Sequence, residues 1–172
     1  MLQEIVEQIK ATVRETVSNE VHTAMPGQIV SFNAAKCTAT VLPKGQFVAG
    51  NGKKMNYPQI TGVPVVMPYS TTANVGVAFP VSKGDPCMIV ISEVELDSWK
   101  SGAQSKAHLQ FDLSSAMCVP GLLKQSSKAV KEATAEKSVV ISNDSTILKV
   151  KKDEVYIEGN LTVKGIVSAD NI

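Results

Sequence analysis

The segment 138–172 alternates apolar and polar side chains over several very short runs. Such alternation predicts β-strands, because successive side chains of a strand point to opposite faces of a sheet. The runs are only about four to five residues long, and turn-forming residues such as Gly159-Asn160 and Gly165 separate them. Strands this short cannot bury their apolar face alone. The segment must therefore find a partner surface.

Three copies of the segment, wound about a common axis, would supply that surface. Each chain would point its apolar alternate residues inward and its charged residues to water, and the winding would close the exposed sheet edges. We therefore predict a homotrimer with a triple-stranded β-helix over residues 139–172. The predicted interior positions are Leu148, Val150, Val155, Ile157, Leu161, Val163 and Ile166.

Residues 1–25 form the first predicted element, an amphipathic helix over 2–22 that ends before Pro26-Gly27. Its apolar residues recur at spacings of three and four and so share one stripe. The stripe consists of Leu2, Val6, Ile9, Val13, Val17 and Val21. Two interpretations stay open: the helix packs on its own domain, or it contacts sister helices in an oligomer.

Residues 26–122 contain several short strand patterns separated by turns, which predicts a small β-barrel or sandwich. Clear turn signals are Gly50-Asn51-Gly52 and the segment 83–86. Within this region, 101–122 shows no periodicity and is predicted to be irregular. The polar stretch 123–138 is interpreted as a linker, with a helix as the alternative. The predicted fold class is mainly β.

Charge and composition exclude some classes of function. The chain carries 17 Lys and Arg against 16 Asp and Glu, so no strong field attracts nucleic acid or anionic lipid. Aromatic residues make up only 5%, which leaves few platforms for stacking bases. The N-terminus carries Glu4 where a secretory signal needs positive charge, and the longest apolar run is Cys87 to Ile91. We expect a protein that folds in a cytoplasm.

No residue pattern predicts catalysis or a cofactor site. Glu93, Glu95 and Asp97 form an acidic cluster, interpreted as a solvated face rather than an acid–base or metal site. His22 is interpreted as a buried or capping residue. His108 lies in a polar stretch without a second histidine or a cysteine nearby, so it predicts no ligand set. We expect a protein that is not an enzyme and binds no cofactor.

Cysteine usage predicts neither a disulfide framework nor a zinc site. Cys37, Cys87 and Cys118 are odd in number and form no C-x-x-C pair. Cys37 and Cys87 share alternation with apolar neighbours and are predicted to be small buried hydrophobes. Trp99 is predicted to be a packing anchor.

Ordered segments of the chain resemble the central spike family of contractile tails, also called baseplate assembly protein V, in its form with an OB-type N-terminal domain. These segments are Val21–Gly27, Val63–Pro68, Phe79–Pro86, Leu96–Gly102 and Phe111–Leu122, with Gly159–Ile166 in the tail. The resemblance implies an OB-fold-like barrel over residues 26–122, followed by the trimeric β-helix.

The resemblance also implies a place and a role. A homotrimer would sit at the centre of a baseplate, on a hub protein under the tail tube, in a virion or injection particle assembled in the host cytoplasm. Sheath contraction would drive its tip through the host cell envelope. Larger members of the family hold a metal in a His-x-His apex, whereas here only oxygen ligands such as Asp170 follow Cys118. We expect no metal apex, and a separate tip protein is an open possibility.

Two other classes of function are a binding module and a cell-wall hydrolase. An OB-type barrel permits a binding module for single-stranded nucleic acid or oligosaccharide, although charge and aromatic content disfavour it. A cell-wall hydrolase lacks a recognisable acid–base pair. The pattern does not distinguish an infectious phage from a headless, bacteriocin-like particle.

Overall fold

The computed structural model describes residues 2–49, 52–104 and 111–168. The chain divides into a barrel unit that ends at Leu122 and a tail unit that begins at Leu123. The barrel unit contains α1 Leu2–Glu20, β1 Ala24–Asn33, β2 Thr38–Pro43, β3 Gln46–Val48, β4 Lys54–Asn56, β5 Ile60–Pro64, β6 Tyr69–Ser70, β7 Val75–Gly76, β8 Pro86–Ile91, α2 Leu96–Lys100, a 3-10 helix Leu113–Ser115 and β9 Ala116–Pro120. The tail unit contains α3 Lys128–Glu136, β10 Val139–Asn143, β11 Thr146–Val150 and β12 Val155–Glu158.

Five strands of the barrel unit form one sheet in the order β5-β2-β1-β8-β9, with every neighbouring pair antiparallel. The sheet curls until its outer strands meet. Val65, just after β5, forms a parallel bridge with Cys118 of β9, and the amide nitrogen of Val66 lies 2.8 Å from the Cys118 carbonyl oxygen. A five-stranded, partly open barrel of this kind is of the OB type. The mainly β fold class with an OB-like barrel is therefore confirmed.

The barrel core follows from the alternation in its strands. Both β2 and β8 alternate buried and half-buried side chains along their whole length. The buried positions meet in one cluster, which includes Ile29, Val41, Val63, Cys87, Ile89 and Cys118. The side chain of Ile89 on β8 packs over Gly27 of β1, so that a Cβ on Gly27 would lie 2.5 Å from Cδ1 of Ile89. Only glycine fits there without a shift of the core.

Of the two cysteines predicted to be buried, one is buried and the other is exposed. Cys87 is fully buried, as predicted, and Cys118 is buried beside it. A hydrogen bond with Cys87, together with burial, raises the pKa of the Cys118 thiol, which therefore stays neutral. The prediction for Cys37 is wrong, because this residue is exposed. It occupies the turn between β1 and β2 with a φ of 49°, so it lies outside the alternation that begins at Thr38.

The prediction of irregular structure over 101–122 is wrong at its C-terminal end. There β9 pairs with β8 along its whole length and closes the barrel. In the structure, buried Ala116 and Cys118 alternate with the less buried Met117 and Val119, but in the sequence all four are apolar and show no alternation.

The predicted N-terminal helix is confirmed over α1. Its apolar stripe is nevertheless exposed, from 40% for Val21, just after the helix, to 81% for Leu2. The interpretation in which this stripe packs on the helix's own domain is therefore wrong. Contact with another chain stays a prediction.

The tail unit combines one helix with a three-stranded antiparallel sheet in the order β10-β11-β12. The helix α3 lies in the stretch interpreted as a polar linker. The Ser127 hydroxyl caps its first turn by accepting a hydrogen bond from the Val130 amide at 3.2 Å. Lys137 ends it in the left-handed conformation, with a φ of 50°.

The last described segment, 159–168, contains no strand. Leu161 and Val163 were predicted to lie in one. A strand needs a hydrogen-bonded neighbour, and within one chain the tail sheet ends at β12. The triple-stranded β-helix is an arrangement between chains and stays a prediction.

Candidate interaction surfaces

One side of the tail sheet is an aliphatic face. It consists of two cross-strand rows, Val139–Val150–Val155 and Ile141–Leu148–Ile157. Residues paired directly across antiparallel strands lie on the same side of the sheet, so the six side chains form one patch. Val139, Ile141 and Val155 are each more than half exposed, and Leu148 is half-buried. One chain thus leaves most of the aliphatic face uncovered.

The opposite side of the tail sheet is covered by α3. Ile147 and Lys149 of β11 are buried there, with exposures of 2% and 8%. The Lys149 ammonium lies 2.7 Å from Oε1 of Glu136 and 3.1 Å from Oε2 of Glu132, both on α3. The prediction that charged tail residues face water is therefore wrong for Lys149, because a helix covers its side of the sheet.

These ion pairs continue along the sheet. Lys151 Nζ lies 3.2 Å from the second carboxylate oxygen of Glu136. We call Glu132, Glu136, Lys149 and Lys151 the ion-pair clamp. Both lysine ammoniums also lie near the Tyr156 ring, 5.9 and 5.6 Å from its centroid, within the range of a cation–π contact. The clamp fixes α3 to this side of the sheet.

The clamp shifts the titration of its members in the direction that favours pairing. Hydrogen bonds from Lys149, and then from Lys151, hold the pKa of Glu136 below its ordinary value. A hydrogen bond from Lys149 lowers the pKa of Glu132 in the same way. Glu136 and Glu132 accept hydrogen bonds from the Lys149 ammonium, and these bonds raise the pKa of Lys149. All of these groups are charged near neutral pH.

The predicted interior positions separate into two groups. Leu148, Val150, Val155 and Ile157 lie together on the aliphatic face. The other three follow β12 and are exposed in one chain: Leu161 by 67%, Val163 by 48% and Ile166 by 96%. Val139 and Ile141, which were not among the predicted positions, complete the aliphatic face. The sequence of β10 begins with the unbroken apolar run Val139–Ile141, so only its pairing with β11 shows which of these residues share the face.

The barrel unit has its own apolar groove, with a cavity volume of about 610 Å³. Its lining includes Val65, Val66, Met67, Leu96, Trp99 and Met117. Trp99 is 69% exposed, so the prediction of a packing anchor is wrong. Leu96, three residues earlier on α2, is 7% exposed and anchors that helix instead.

The acidic cluster lies at the surface, as predicted for a solvated face. Asp97 pairs with Lys100 across 3.1 Å. Oε2 of Glu95 accepts a hydrogen bond from the Ser98 hydroxyl at 2.9 Å, and Glu93 is exposed. Asp97 and Glu95 therefore make local contacts around α2.

His22 is half-buried, and its ring meets that of Tyr57 edge-on with centroids 5.5 Å apart. His108, Asn51 and Asp170, each of which entered a prediction, lie outside the described residues. Over 2–49, 52–104 and 111–168, no three His, Cys, Asp or Glu side chains are grouped closely enough to hold a metal ion. None of the helices described in these ranges is both long and apolar enough to span a membrane.

A family model described as phage protein Gp138 N-terminal domain matches residues 25–121. The match covers more than half of the chain and runs from the second residue of β1 to the residue after β9. The chain belongs to the Gp138 N-terminal domain family. No curated protein matches it.

Membership in the Gp138 family supports a phage structural protein that is associated with the virion. The phage character implied by the resemblance is confirmed at this level. The Gp138 match takes in the whole barrel but neither α1 nor the tail unit. The spike role and the trimer stay predictions.

Proposed function

We propose that this chain is the central spike of a contractile phage tail or a related injection machine, and that it pierces the host cell envelope as a homotrimer. The aliphatic face of the tail sheet is the observation that carries the proposal. An exposed patch of this kind marks an interaction site. Four of the positions predicted to face a trimer axis lie on it together.

Association would give the tail the stiffness that piercing requires. Burying each such side chain contributes roughly 1.5–3 kcal/mol before entropy is subtracted. The contribution recurs in every copy around the axis. The role is mechanical and breaks no bond in a substrate, so we propose a protein that is not an enzyme.

The barrel unit would connect the spike to the particle. We propose that it contacts a baseplate hub protein under the tail tube, and that the assembled spike lies at the tail tip. The match of the whole barrel to a phage family supports this position. A separate tip protein and the host envelope would be the further partners of the tail unit.

A second candidate function rests on the groove of the barrel unit. Trp99 and Tyr69 both line it and are 69% and 45% exposed. Exposed aromatic rings on an OB-type barrel favour a module that binds single-stranded nucleic acid or oligosaccharide.

Light scattering on the full chain after size exclusion distinguishes the candidates. The spike requires a stable particle of three times 18.3 kDa. Trp99 is the single tryptophan of the chain, so its fluorescence reports on the groove. A monomer whose emission changes on titration with an oligonucleotide or a cell-wall saccharide would favour the second candidate and contradict the first.

A further inference from the structure

We propose that residues 139–158 enter the trimer as intact sheets, and that the aliphatic faces of three copies pack against one another as a triangular prism. This proposal rests on the proposed function, since it assumes a trimer. It differs from strand exchange between chains, and it adds Val139 and Ile141 to the interface.

The pairing within the tail sheet is the first argument. The central strand β11 is paired on both edges by its own chain: Val139 lies opposite Val150, and Val150 lies opposite Val155. Intertwining over this range would have to replace both ladders with pairs between chains. Packing by faces leaves every one of these hydrogen bonds in place.

The ion-pair clamp decides which side of the sheet is available. On the α3 side, Ile147 and Lys149 are already buried, and Lys149 is paired with two carboxylates. Exposing these groups to make a new interface would separate the pairs. The aliphatic face is therefore the side on which another chain can pack, with α3 on the outside of the prism.

The chemistry of the aliphatic face favours further copies of this chain as its occupant. All six side chains are aliphatic, so the patch offers no charge or hydrogen-bonding group for a polar partner. A uniformly aliphatic surface is complementary to itself, and sheets pack face to face about 10 Å apart. Beyond β12, the apolar side chains of Leu161 and Val163 are also exposed in one chain. A second and third copy would cover both regions at once.

A matched pair of variants tests the interface. Ile141→Asp puts a carboxylate on the aliphatic face, whereas Ser142→Asp adds the same charge one residue later on the other side of β10. We expect Ile141→Asp to lower the mass measured by light scattering from trimer to monomer, and Ser142→Asp to stay trimeric. Circular dichroism of both variants checks that the sheet still forms.

The outcomes separate the two proposals. A wild-type chain that is monomeric would contradict the proposed spike function itself. A trimeric wild type together with a trimeric Ile141→Asp variant would overturn only the prism. Loss of the trimer in both variants would also overturn it, because the effect would then not depend on the face.

A disulfide tests whether the sheets stay within one chain. In a Cys37→Ser background, Val139→Cys and Val150→Cys would place two thiols directly opposite each other on β10 and β11. Cysteines on facing sheets about 10 Å apart are beyond disulfide reach. We expect oxidised protein to run as a single chain in denaturing, non-reducing gels. Covalent dimers or trimers would show exchange between chains and overturn the prism.

Discussion

The ammonium of Lys149 lies 2.7 Å from a carboxylate oxygen of Glu136, on the side of the tail sheet that α3 covers. Glu136 and Glu132 both raise the pKa of this ammonium by accepting its hydrogen bonds. The ion pair therefore links α3 to β11, and the aliphatic face lies on the opposite side of the sheet.

Replacing Lys149 by Met should loosen α3 from the sheet. The change removes the cation and leaves two carboxylates close together without it. We expect a lower melting temperature and faster amide exchange in α3. Lys152→Met is the matched control, because this exposed lysine lies in the turn after β11, and its melting temperature should stay near that of the wild type. Equal behaviour of the two variants would show that the clamp does not hold α3.

Acid should weaken the clamp. The pKa values of Glu132 and Glu136 are lowered in the folded chain. In the unfolded chain, a glutamate has a pKa of about 4.3. The two carboxylates therefore contribute fully to the free energy of unfolding when the pH is above their pKa in the unfolded chain. That contribution is lost as the pH falls through their lowered pKa values in the folded chain. Melting temperatures measured from neutral to acid pH should fall more steeply in the wild type than in Lys149→Met. If the melting temperatures of the two proteins fall in parallel with pH, the clamp is not the cause of the acid sensitivity.

Gly27→Ala should destabilise the barrel. The added methyl group would lie 2.5 Å from Cδ1 of Ile89, a fully buried side chain. Overpacking of a core typically costs about 1–3 kcal/mol, measurable by denaturant unfolding. Adding Ile89→Val removes that methyl and should recover part of the loss. At exposed Gly45 a Cβ would meet only the Tyr57 ring at 3.5 Å, so Gly45→Ala should be nearly neutral. If Gly27→Ala leaves the free energy of unfolding unchanged, the core around Ile89 can rearrange to accept the added methyl group.

Leu161→Asp tests the segment beyond β12. In a trimer it would bring three carboxylates to the axis and would lose roughly 1.5–3 kcal/mol of apolar burial per chain. We expect weaker trimerisation by light scattering at decreasing concentration. The neighbouring Thr162→Asp has the opposite alternation and should associate like the wild type. If Leu161→Asp remains as stable and trimeric as the wild type, Leu161 does not face the interior.

The barrel unit should fold without the tail unit. A fragment that ends at Leu122 keeps all strands of the five-stranded sheet and the buried cluster between them. We expect the β signal in circular dichroism to persist, with weaker association than in the full chain. A fragment that lacks this signal would show that the barrel depends on the tail for folding.

The sequence predicts the barrel best where alternation is long. In β2, Ala39 and Val41 alternate with Thr38 and Thr40 in the sequence, and the structure buries the same alternate positions. The closing strand β9 was missed because it follows a left-handed Phe111 and a 3-10 helix, which interrupt any pattern. Its partner β8 is also distant in sequence, and pairing of that kind is not a local property.

The candidate interface was predicted only in part for a similar reason. Alternation places Leu148 with Val150, and Val155 with Ile157, and the structure puts all four on one face. The contribution of β10 depends on its register with β11, which the turn at Asp144, with a φ of 53°, sets. The clamp was not foreseen, because alternation alone does not show that a helix covers the charged side.

Among the described residues of the barrel, one parallel bridge joins the end of β5 to β9, so both strands remain edges over most of their length. Both edges carry a proline, Pro64 at the end of β5 and Pro120 at the end of β9. Proline lacks the amide hydrogen that an added strand would use, and such edges resist pairing with another chain. The two prolines therefore disfavour aggregation of separate barrels through their sheet edges.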